Sequence, residues 1–355
     1  MLLSGEQQTR LVNVGTSNAE AYALLLQATA IFNRRDGARM PEAIAQLERA
    51  IALDSRYARA HARLALGASI ATQFRASEFT ALLATTEKHA QAAIALDPRL
   101  AESHVALGFM EFTRRRYVEA LREYQRALAL DPNDVNVNYF MGVSLALTGY
   151  GRQAAVALDR TLALDPLLPT ALFWRGSLHF NDGDIGAAER LYQRASDVGL
   201  AWAGFGLAEV AAARGHRTEA IGLVTPAYRV TMSDLPEGAA EIYAAGTYGD
   251  AKARATALAM INSYLESKPA VVAPMVPVIL LRLGEAAHSL AIAQERLGSD
   301  GLYLRPLMAS PAGKAARSLP QFAEFARKMG FAALWEQSGP PDMCRRVGKE
   351  DFVCE

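Results

Sequence analysis

The chain has 355 residues, and its 37 basic side chains balance its 37 acidic ones, so that the formal net charge is zero. A balanced chain creates no overall field that would attract nucleic acid or an anionic membrane, and neither is expected as a partner. Hydrophobic residues make up 51% of the sequence, with alanine and leucine more frequent than β-branched residues. Because small and straight-chain side chains lose little rotamer freedom in a helix, an almost wholly helical protein is predicted.

The beginning of the chain, Met1 to Gln8, has no basic segment followed by a long apolar one. The most apolar stretch, Val271 to Leu283, contains Pro274, Pro277 and Arg282 and is shorter than a membrane-spanning helix. We therefore expect a cytoplasmic protein that does not insert into a membrane. In such a protein this apolar stretch forms a buried helix.

A four-residue phrase recurs at a fixed spacing. Its copies at Ala95–Pro98, Ala129–Pro132 and Ala163–Pro166 follow one another at steps of 34 residues, and a related copy, Ala52–Ser55, lies 43 residues before the first of them. A period in this range is typical of proteins built from stacked helical units. Because a proline disfavours the α conformation in the residue before it, each phrase predicts the end of a helix.

Small residues recur inside the unit from Ala101 to Asp134, together with Tyr117 and Tyr124. With these residues the unit resembles the tetratricopeptide repeat (TPR), and the resemblance extends to the neighbouring units. Small side chains at these positions let the two helices of a repeat approach closely. The resemblance assigns structural roles in the repeat to the small residues Gly108, Ala120, Gly142, Ala154, Gly176 and Ala188, and to Pro132 and Pro166, which close their units.

The resemblance implies an all-α fold, a right-handed α-solenoid of TPR helix pairs with seven to eight repeats and a short helical C-terminal extension. We expect a leader at residues 1–17, a TPR superhelix at 18–300 that becomes degenerate after about residue 235, and a helical cap with a cysteine-containing tail at 301–355. In the degenerate part, Gly249–Asp250 and Gly284–Glu285 predict tight turns between paired helices.

In the TPR family, the first helix of each repeat lines the concave surface with its second, fifth, ninth and twelfth residues. The resemblance implies that this groove binds a protein or a peptide, and a row of aromatic side chains suits an apolar segment or an amphipathic helix. The alternative is that some of these rings belong to the core between repeats. The groove positions are Glu102, Val105, Phe109 and Phe112; Asn136, Tyr139, Val143 and Ala146; Thr170, Phe173, Ser177 and Phe180; and Trp202, Phe205, Glu209 and Ala212.

TPR modules of the chaperone-binding kind hold a C-terminal carboxylate with lysine and asparagine at the fifth and ninth positions. Here those positions carry Val105, Phe109, Tyr139 and Val143. Capture of a carboxylate in this manner is therefore not expected.

The ends of the chain carry a second resemblance. Thr16–Tyr22 and Leu47–Asp54 at one end, and Phe322–Phe325 and Pro341–Cys344 at the other, are similar to the TPR half of bacterial multidomain regulators. Those proteins place a winged-helix or adenylate-cyclase-like output domain before the repeats. The resemblance implies regulation through protein contacts. Since this sequence has no output domain, the alternative to a stand-alone scaffold is a sensory half that acts on a separate output protein.

Motifs of catalysis and metal binding are absent from the sequence. It contains no glycine-rich phosphate loop, no nucleophile elbow, no H-E-x-x-H and no C-x-x-C, and its six histidines are scattered. We therefore predict no enzymatic activity, no metal and no cofactor. The basic run Arg114–Arg116 and the carboxylates Asp182 and Asp184 are better explained as parts of turns between helices.

The two cysteines, Cys344 and Cys354, lie in the last dozen residues of the chain. They form either a disulfide in an oxidising compartment or two free thiols in a reducing cytoplasm. The multidomain regulators tend to carry paired terminal cysteines, which adds some weight to the disulfide, and the sequence leaves both alternatives open. The sequence contains no signal for the oligomeric state.

Overall fold

The computed structural model describes residues 15–34, 37–72, 78–231, 236–267, 275–296, 301–308, 310–347 and 351–354. Within these ranges, helices follow one another as pairs joined by short turns, and contacts divide the chain into two compact units, residues 1–140 and 141–355. The predicted fold class, an all-α repeat solenoid, is confirmed.

In its described residues, the first unit contains three complete helix pairs and the beginning of a seventh helix. Its small core residues, Ala65, Ala90 and Ala106, let the helices of neighbouring pairs pack closely, and Leu107 covers them. The helices are α1 Ala19–Arg34 with α2 Met40–Leu53, α3 Ala58–Ala71 with α4 Phe79–Leu96, α5 Ala101–Thr113 with α6 Tyr117–Leu130, and then α7 Val135–Leu147, which continues into the second unit.

The second unit continues the series of helix pairs. Tight turns follow Tyr248 and Arg282, as Gly249–Asp250 and Gly284–Glu285 predict. The helices after α7 are α8 Gly151–Leu164, α9 Pro169–Asn181 with α10 Ile185–Asp197, α11 Gly204–Ala213 with α12 Arg217–Thr231, α13 Ala239–Tyr248 with α14 Ala251–Glu266, and α15 Met275–Arg282 with α16 Ala286–Arg296.

The end of the chain is helical at first and then forms a hairpin. Short helices α17 Gly301–Met308, α18 Lys314–Arg317, α19 Gln321–Lys328 and α20 Phe331–Ser338 precede two antiparallel strands, β1 Cys344–Val347 and β2 Asp351–Cys354. The strands pair Cys344 opposite Cys354, and a disulfide joins these two residues. A cysteine-containing tail is predicted here from the sequence, whereas the hairpin is not.

An aspartate ends a helix at each copy of the repeated phrase. In all four copies its backbone is extended, and its carboxylate accepts a hydrogen bond of 3.0–3.1 Å from the backbone N–H two residues later. The aspartate therefore closes the helix even where serine replaces the proline. The four aspartates and the residues whose N–H they accept are Asp54 and Arg56, Asp97 and Arg99, Asp131 and Asn133, and Asp165 and Leu167.

The glycines and alanines that are predicted to pack helices together lie where paired helices meet. A Cβ atom placed on Gly108 would lie 2.5 Å from the ring of Tyr124, so only glycine allows this approach without displacement of the ring. Gly142 and Gly176 meet Leu158 and Tyr192 in the same way, at 2.9 Å. The alanines Ala120, Ala154 and Ala188 are completely buried, whereas Pro132 and Pro166 are exposed in the turns.

Gly108→Ala should therefore destabilise the first unit, although alanine is the better helix former. We expect a loss of about 1–3 kcal/mol in the free energy of unfolding, because the new methyl group must displace the buried ring of Tyr124. Urea denaturation followed by circular dichroism measures this effect. The matched control is Gly222→Ala in α12, where a Cβ meets no atom within 4 Å and the change should be neutral or slightly stabilising. A similar effect at both positions would contradict the packing role of Gly108.

Side-chain donors near the starts of three helices bind the turns that precede them. Each donates to the carbonyl oxygen six residues earlier at 3.2 Å, so that the side chain fastens the helix to the turn. The three donors are His61 to Ser55, His104 to Pro98 and Asn138 to Pro132. Two of the six histidines, His61 and His104, therefore have a structural role, and Asn138 has the same role one 34-residue period after His104.

A second hydrogen bond joins His61 to His89. Both imidazoles are buried, and their Nδ1 atoms lie 2.9 Å apart. Because Nε2 of His61 donates to Ser55, its Nδ1 accepts the proton of His89. Burial, together with the charges of His61 and Lys88, lowers the pKa of His89 to about 4. Burial also lowers the pKa of His61.

This histidine pair predicts a loss of stability in mild acid. Burial favours the neutral imidazole of His89 in the folded state. The stability that this neutral form contributes is therefore fully present above the unfolded pKa of about 6.5 and is lost as the pH falls towards 4. We expect about 2 kcal/mol less stability at pH 5 than at pH 7, measured by urea denaturation. His89→Gln should flatten this dependence, and an equally steep dependence in the variant would contradict the assignment to His89.

Candidate functional site

Helix α5 of the first unit presents two half-buried phenylalanines at predicted groove positions. Phe109 packs edge-on against Phe140 at 5.7 Å between ring centres, and Phe112 packs against Tyr117 at 4.9 Å. Both rings keep part of their surface in contact with solvent. Val105, at the fifth position of the same helix, is completely buried.

Polar and aromatic groove positions next to these rings differ in their exposure. Glu102 forms an ion pair with Arg63 in which both side chains are mostly covered, and burial raises the pKa of Glu102 although Arg63 opposes this effect. Tyr139 of α7 is buried, whereas Asn136 is half-buried. In the first unit, the groove positions that reach solvent are therefore concentrated around Phe109 and Phe112.

In the second unit, the groove position Phe173 belongs to the core. Its ring is 1% exposed and contacts Trp202 and Tyr192, with ring centres at 4.6 and 5.3 Å. The hydroxyl of Tyr192 lies 3.2 Å from Oγ of Ser177, which is also buried. Phe173 and Ser177 therefore hold helices together. This agrees with the alternative that some of the rings at groove positions belong to the core between repeats.

The next groove positions are covered by a later helix of the same unit. Arg282 of α15 places its guanidinium 5.3 Å from the centre of the Phe205 ring and 2.7 Å from Oε1 of Glu209. The side chain of Arg282 is only 5% exposed. The apolar stretch around Arg282 predicts a buried helix, but no local signal in the sequence connects Arg282 with residues more than seventy positions earlier.

The end of the chain also contacts the turn between α7 and α8. Nε1 of Trp335 donates to the carbonyl oxygen of Thr148 at 3.2 Å, and the hydroxyl of Tyr150 donates to that of Gly339 at 2.7 Å. The carboxylate of Asp342 accepts from the backbone N–H of Arg152 at 2.7 Å and from its Nε at 2.9 Å. Asp342 thus caps the start of α8 from a distant part of the sequence.

The predicted groove residues therefore divide into two sets. One set is buried and supports the helix packing: Val105, Tyr139, Phe173, Ser177 and Phe205, with Ala146 and Thr170. The other set is partly accessible: Glu102, Phe109, Phe112 and Asn136 in the first unit, and Val143, Phe180, Trp202, Glu209 and Ala212 in the second.

The histidines and carboxylates do not assemble into a metal centre in the described ranges, where no group of three or more His, Cys, Asp or Glu side chains converges. The turns behave as the sequence analysis predicts, since Arg114–Arg116 lies between α5 and α6 and Asp184 caps α10 by accepting from the N–H of Ala187 at 3.0 Å. Among the helices that the structure describes, none combines the length and apolar character needed to cross a bilayer.

The fold defines an α-helical repeat solenoid. Residues 101–134, which contain α5 and α6, match the sequence model of the tetratricopeptide repeat. This match supports the resemblance on which the repeat packing and the groove positions depend.

Several solved structures are similar to this chain, and the first of those that follow supports the fold. The APC/C hetero-tetramer Cut9–Hcn1 is similar with a TM-score of 0.53 at 18% identity, over 88% of this chain and 60% of that one. Yeast Tom70 matches with a TM-score of 0.44 at 16% identity, over 90% of this chain and 69% of that one. Pseudomonas aeruginosa pilF matches with a TM-score of 0.44 at 18% identity, over 62% and 95% of the two chains. No curated protein matches the sequence.

Proposed function

We propose that this protein is a non-enzymatic interaction scaffold that binds a peptide or a partner protein through α5 of its first unit. The observation that carries the proposal is the pair of half-buried rings, Phe109 and Phe112, at adjacent groove positions of a TPR-like helix. Residues three apart lie on the same face of a helix, so the two rings form one apolar surface.

The partial burial of these rings suits a docking surface. Phe140 and Tyr117 hold the two rings by edge contacts, so little side-chain entropy remains to be lost when a partner covers their exposed parts. An apolar side chain of the partner would complete their burial. Asn136 adds a polar group on the neighbouring helix, which can bind a main-chain amide of an extended segment.

The test compares partners captured from the native cell by the tagged wild-type protein and by the double variant Phe109→Ala and Phe112→Ala. We expect the double variant to lose at least tenfold in affinity for a partner that the wild type enriches, because buried aromatic anchors dominate binding energy. Mass spectrometry identifies the partner, and titration of the purified pair measures the affinity.

Leu130→Ala is the matched control, because Leu130 is an exposed apolar residue of the same helix pair and is 42% accessible. This variant should bind as the wild type does, and circular dichroism should show that all variants remain helical. A partner that binds the double variant with unchanged affinity would contradict the proposed surface.

A second hypothesis is that the chain is the sensory half of a bacterial regulatory system. It is supported by the resemblance of its ends to multidomain regulators, and one of the segments that carry it, Pro341–Cys344, contacts the turn before α8 through Asp342. This hypothesis predicts that a gene for a transcription or cyclase output protein lies beside the gene of this protein. It also predicts that the two products co-purify.

A further inference from the structure

The 34-residue period reveals a position where one repeat has lost large side chains. Helix α6 carries Tyr117 and Leu121 at its first and fifth residues, and the period places Gly151 and Ala155 at the corresponding positions of α8. Tyr117 is buried and fills space beside its own helix pair. Glycine and alanine leave room at the start of α8, where a Cβ atom on Gly151 would meet Oδ2 of Asp342 at 3.5 Å and Cδ2 of Leu178 at 3.7 Å.

Helix α9, which packs against α8, carries polar residues at positions where the preceding repeat has apolar ones. Arg175 and His179 of α9 correspond by the period to Met141 and Leu145 of α7. The side chain of Arg175 is only 16% exposed, so a guanidinium occupies a position that the previous repeat gives to an apolar residue. Residues four apart lie on one helix face, which brings the guanidinium and the imidazole side by side.

These changes border a cavity of about 520 Å³ in the second unit. Its volume lies in the range of sites that hold small organic ligands. Ala146, Ala155, Leu178, Met308 and Met343 give it an apolar part, and Arg152, Arg175, His179, Asn181, Asp182 and Asp342 give it a polar part.

The ionic groups at the cavity are mostly paired within the protein. Nε of Arg152 lies 2.9 Å from Oδ1 of Asp342, and Arg175 binds both carboxylate oxygens of Asp159, at 2.6 and 3.3 Å. Burial, assisted by the charge of Arg175, lowers the pKa of His179 and so favours its neutral imidazole. A charged ligand would therefore lose its hydration and gain little in return, because the arginines are paired and the carboxylate of Asp182 is exposed to water, where an ion pair contributes little.

One hydrogen-bond donor of Arg175 and one acceptor of His179 remain at the cavity, and together they match an uncharged group that has both an acceptor and a donor. Within the described ranges, the hydrogen bonds of Arg175 use Nε and Nη2, which leaves Nη1 as a donor. Nδ1 of His179 lies 3.5 Å from Oδ2 of Asp184, and a proton on Nδ1 leaves Nε2 as an acceptor. A carboxamide offers the carbonyl oxygen and the N–H that these two atoms require.

We propose that this cavity is a binding site for a small uncharged molecule with an amide-like polar group and an aliphatic body. The polar group binds Arg175 and His179, and the body lies against Ala155 and Met343, the apolar lining residues that keep accessible surface. This site is separate from the peptide-binding surface on α5 and does not depend on the proposed function.

Hexanamide is the probe, with hexanoate and hexylammonium as charged analogues of similar size. Protein carrying ¹³C-labelled methionine methyl groups is titrated, and the signals of Met308 and Met343 are assigned with Met308→Leu and Met343→Leu. We expect saturable shifts of these signals with hexanamide, with a Kd on the order of 1 mM for so small a ligand. Both charged analogues should bind at least fivefold more weakly.

Two variants that copy residues of the neighbouring repeats complete the test. Ala155→Leu restores the residue of α6 and should weaken hexanamide binding at least tenfold, while Arg175→Met restores the residue of α7 and should remove the preference for the amide. Val156→Leu is the control, since Val156 is 72% exposed and its substitution should leave binding unchanged.

Three results would overturn the proposal. They are the absence of methionine shifts with hexanamide, equal binding by the wild type and by both Ala155→Leu and Arg175→Met, and tighter binding of either charged analogue. The α5 variants of the proposed function should retain hexanamide binding, so the two proposals fail independently.

Discussion

Replacement of Glu209 by alanine is expected to lower the free energy of unfolding of the second unit by about 3–5 kcal/mol. The reason is that Glu209 is the carboxylate partner of Arg282, at 2.7 Å, and the side chains of the two residues are only 11% and 5% exposed. Without Glu209 the guanidinium loses its opposite charge while it remains out of contact with water. Urea denaturation followed by circular dichroism measures the loss.

The control for this prediction is an ion pair of the same type at the surface. Glu241 pairs with Arg229, and both side chains are about half exposed. Glu241→Ala should lower the free energy of unfolding far less than Glu209→Ala does, because exposed pairs gain little. Equal costs at Glu209 and Glu241 would show that Arg282 is not buried in solution.

Trp335→Ala is expected to cost about 3–5 kcal/mol and to release the C-terminal segment from the turn before α8. Trp335 is 1% exposed, stacks on Phe331 with ring centres at 5.4 Å, contacts Phe352 of the hairpin, and donates to the carbonyl oxygen of Thr148. Its removal leaves a large cavity and an unsatisfied carbonyl group. Hydrogen exchange of the backbone amides near Arg152 measures the release.

Trp335→Phe separates the two contributions of this side chain. It keeps most of the ring contacts and loses the hydrogen bond, so we expect a cost of about 1–2 kcal/mol and intermediate exchange rates. If Trp335→Ala left the exchange of the Arg152 amide unchanged, the contact between the C-terminal segment and the turn would be refuted, because Asp342 holds this amide in the structure.

The helix pairs were predictable because the relevant physics is local. Proline and aspartate end helices within a few residues of their own position, and small residues such as Gly108 recur at the period of one repeat. The match of residues 101–134 to the tetratricopeptide repeat supports this part of the analysis. The turns at Gly249–Asp250 and Gly284–Glu285 followed from the same rules.

The groove was only partly predictable. The repeat position specifies which face of a helix a residue occupies, but the exposure of that face depends on what packs against it. Phe109 and Phe173 hold different positions of equivalent helices, yet Phe109 keeps accessible surface while Trp202 and Tyr192 bury Phe173. Arg282 covers Phe205 in the same way from a helix that lacks the clear repeat pattern.

The sequence by itself therefore determined the fold class, the period and the helix ends, since these depend on residues within one repeat of each other. Only the tertiary structure decided that Asp342 caps α8, that Arg282 pairs with Glu209, and that Gly151 and Arg175 border a cavity. These features join residues that lie far apart in the chain or belong to different helix pairs. Their free energy comes from burial and pairing that exist only after the helices have packed.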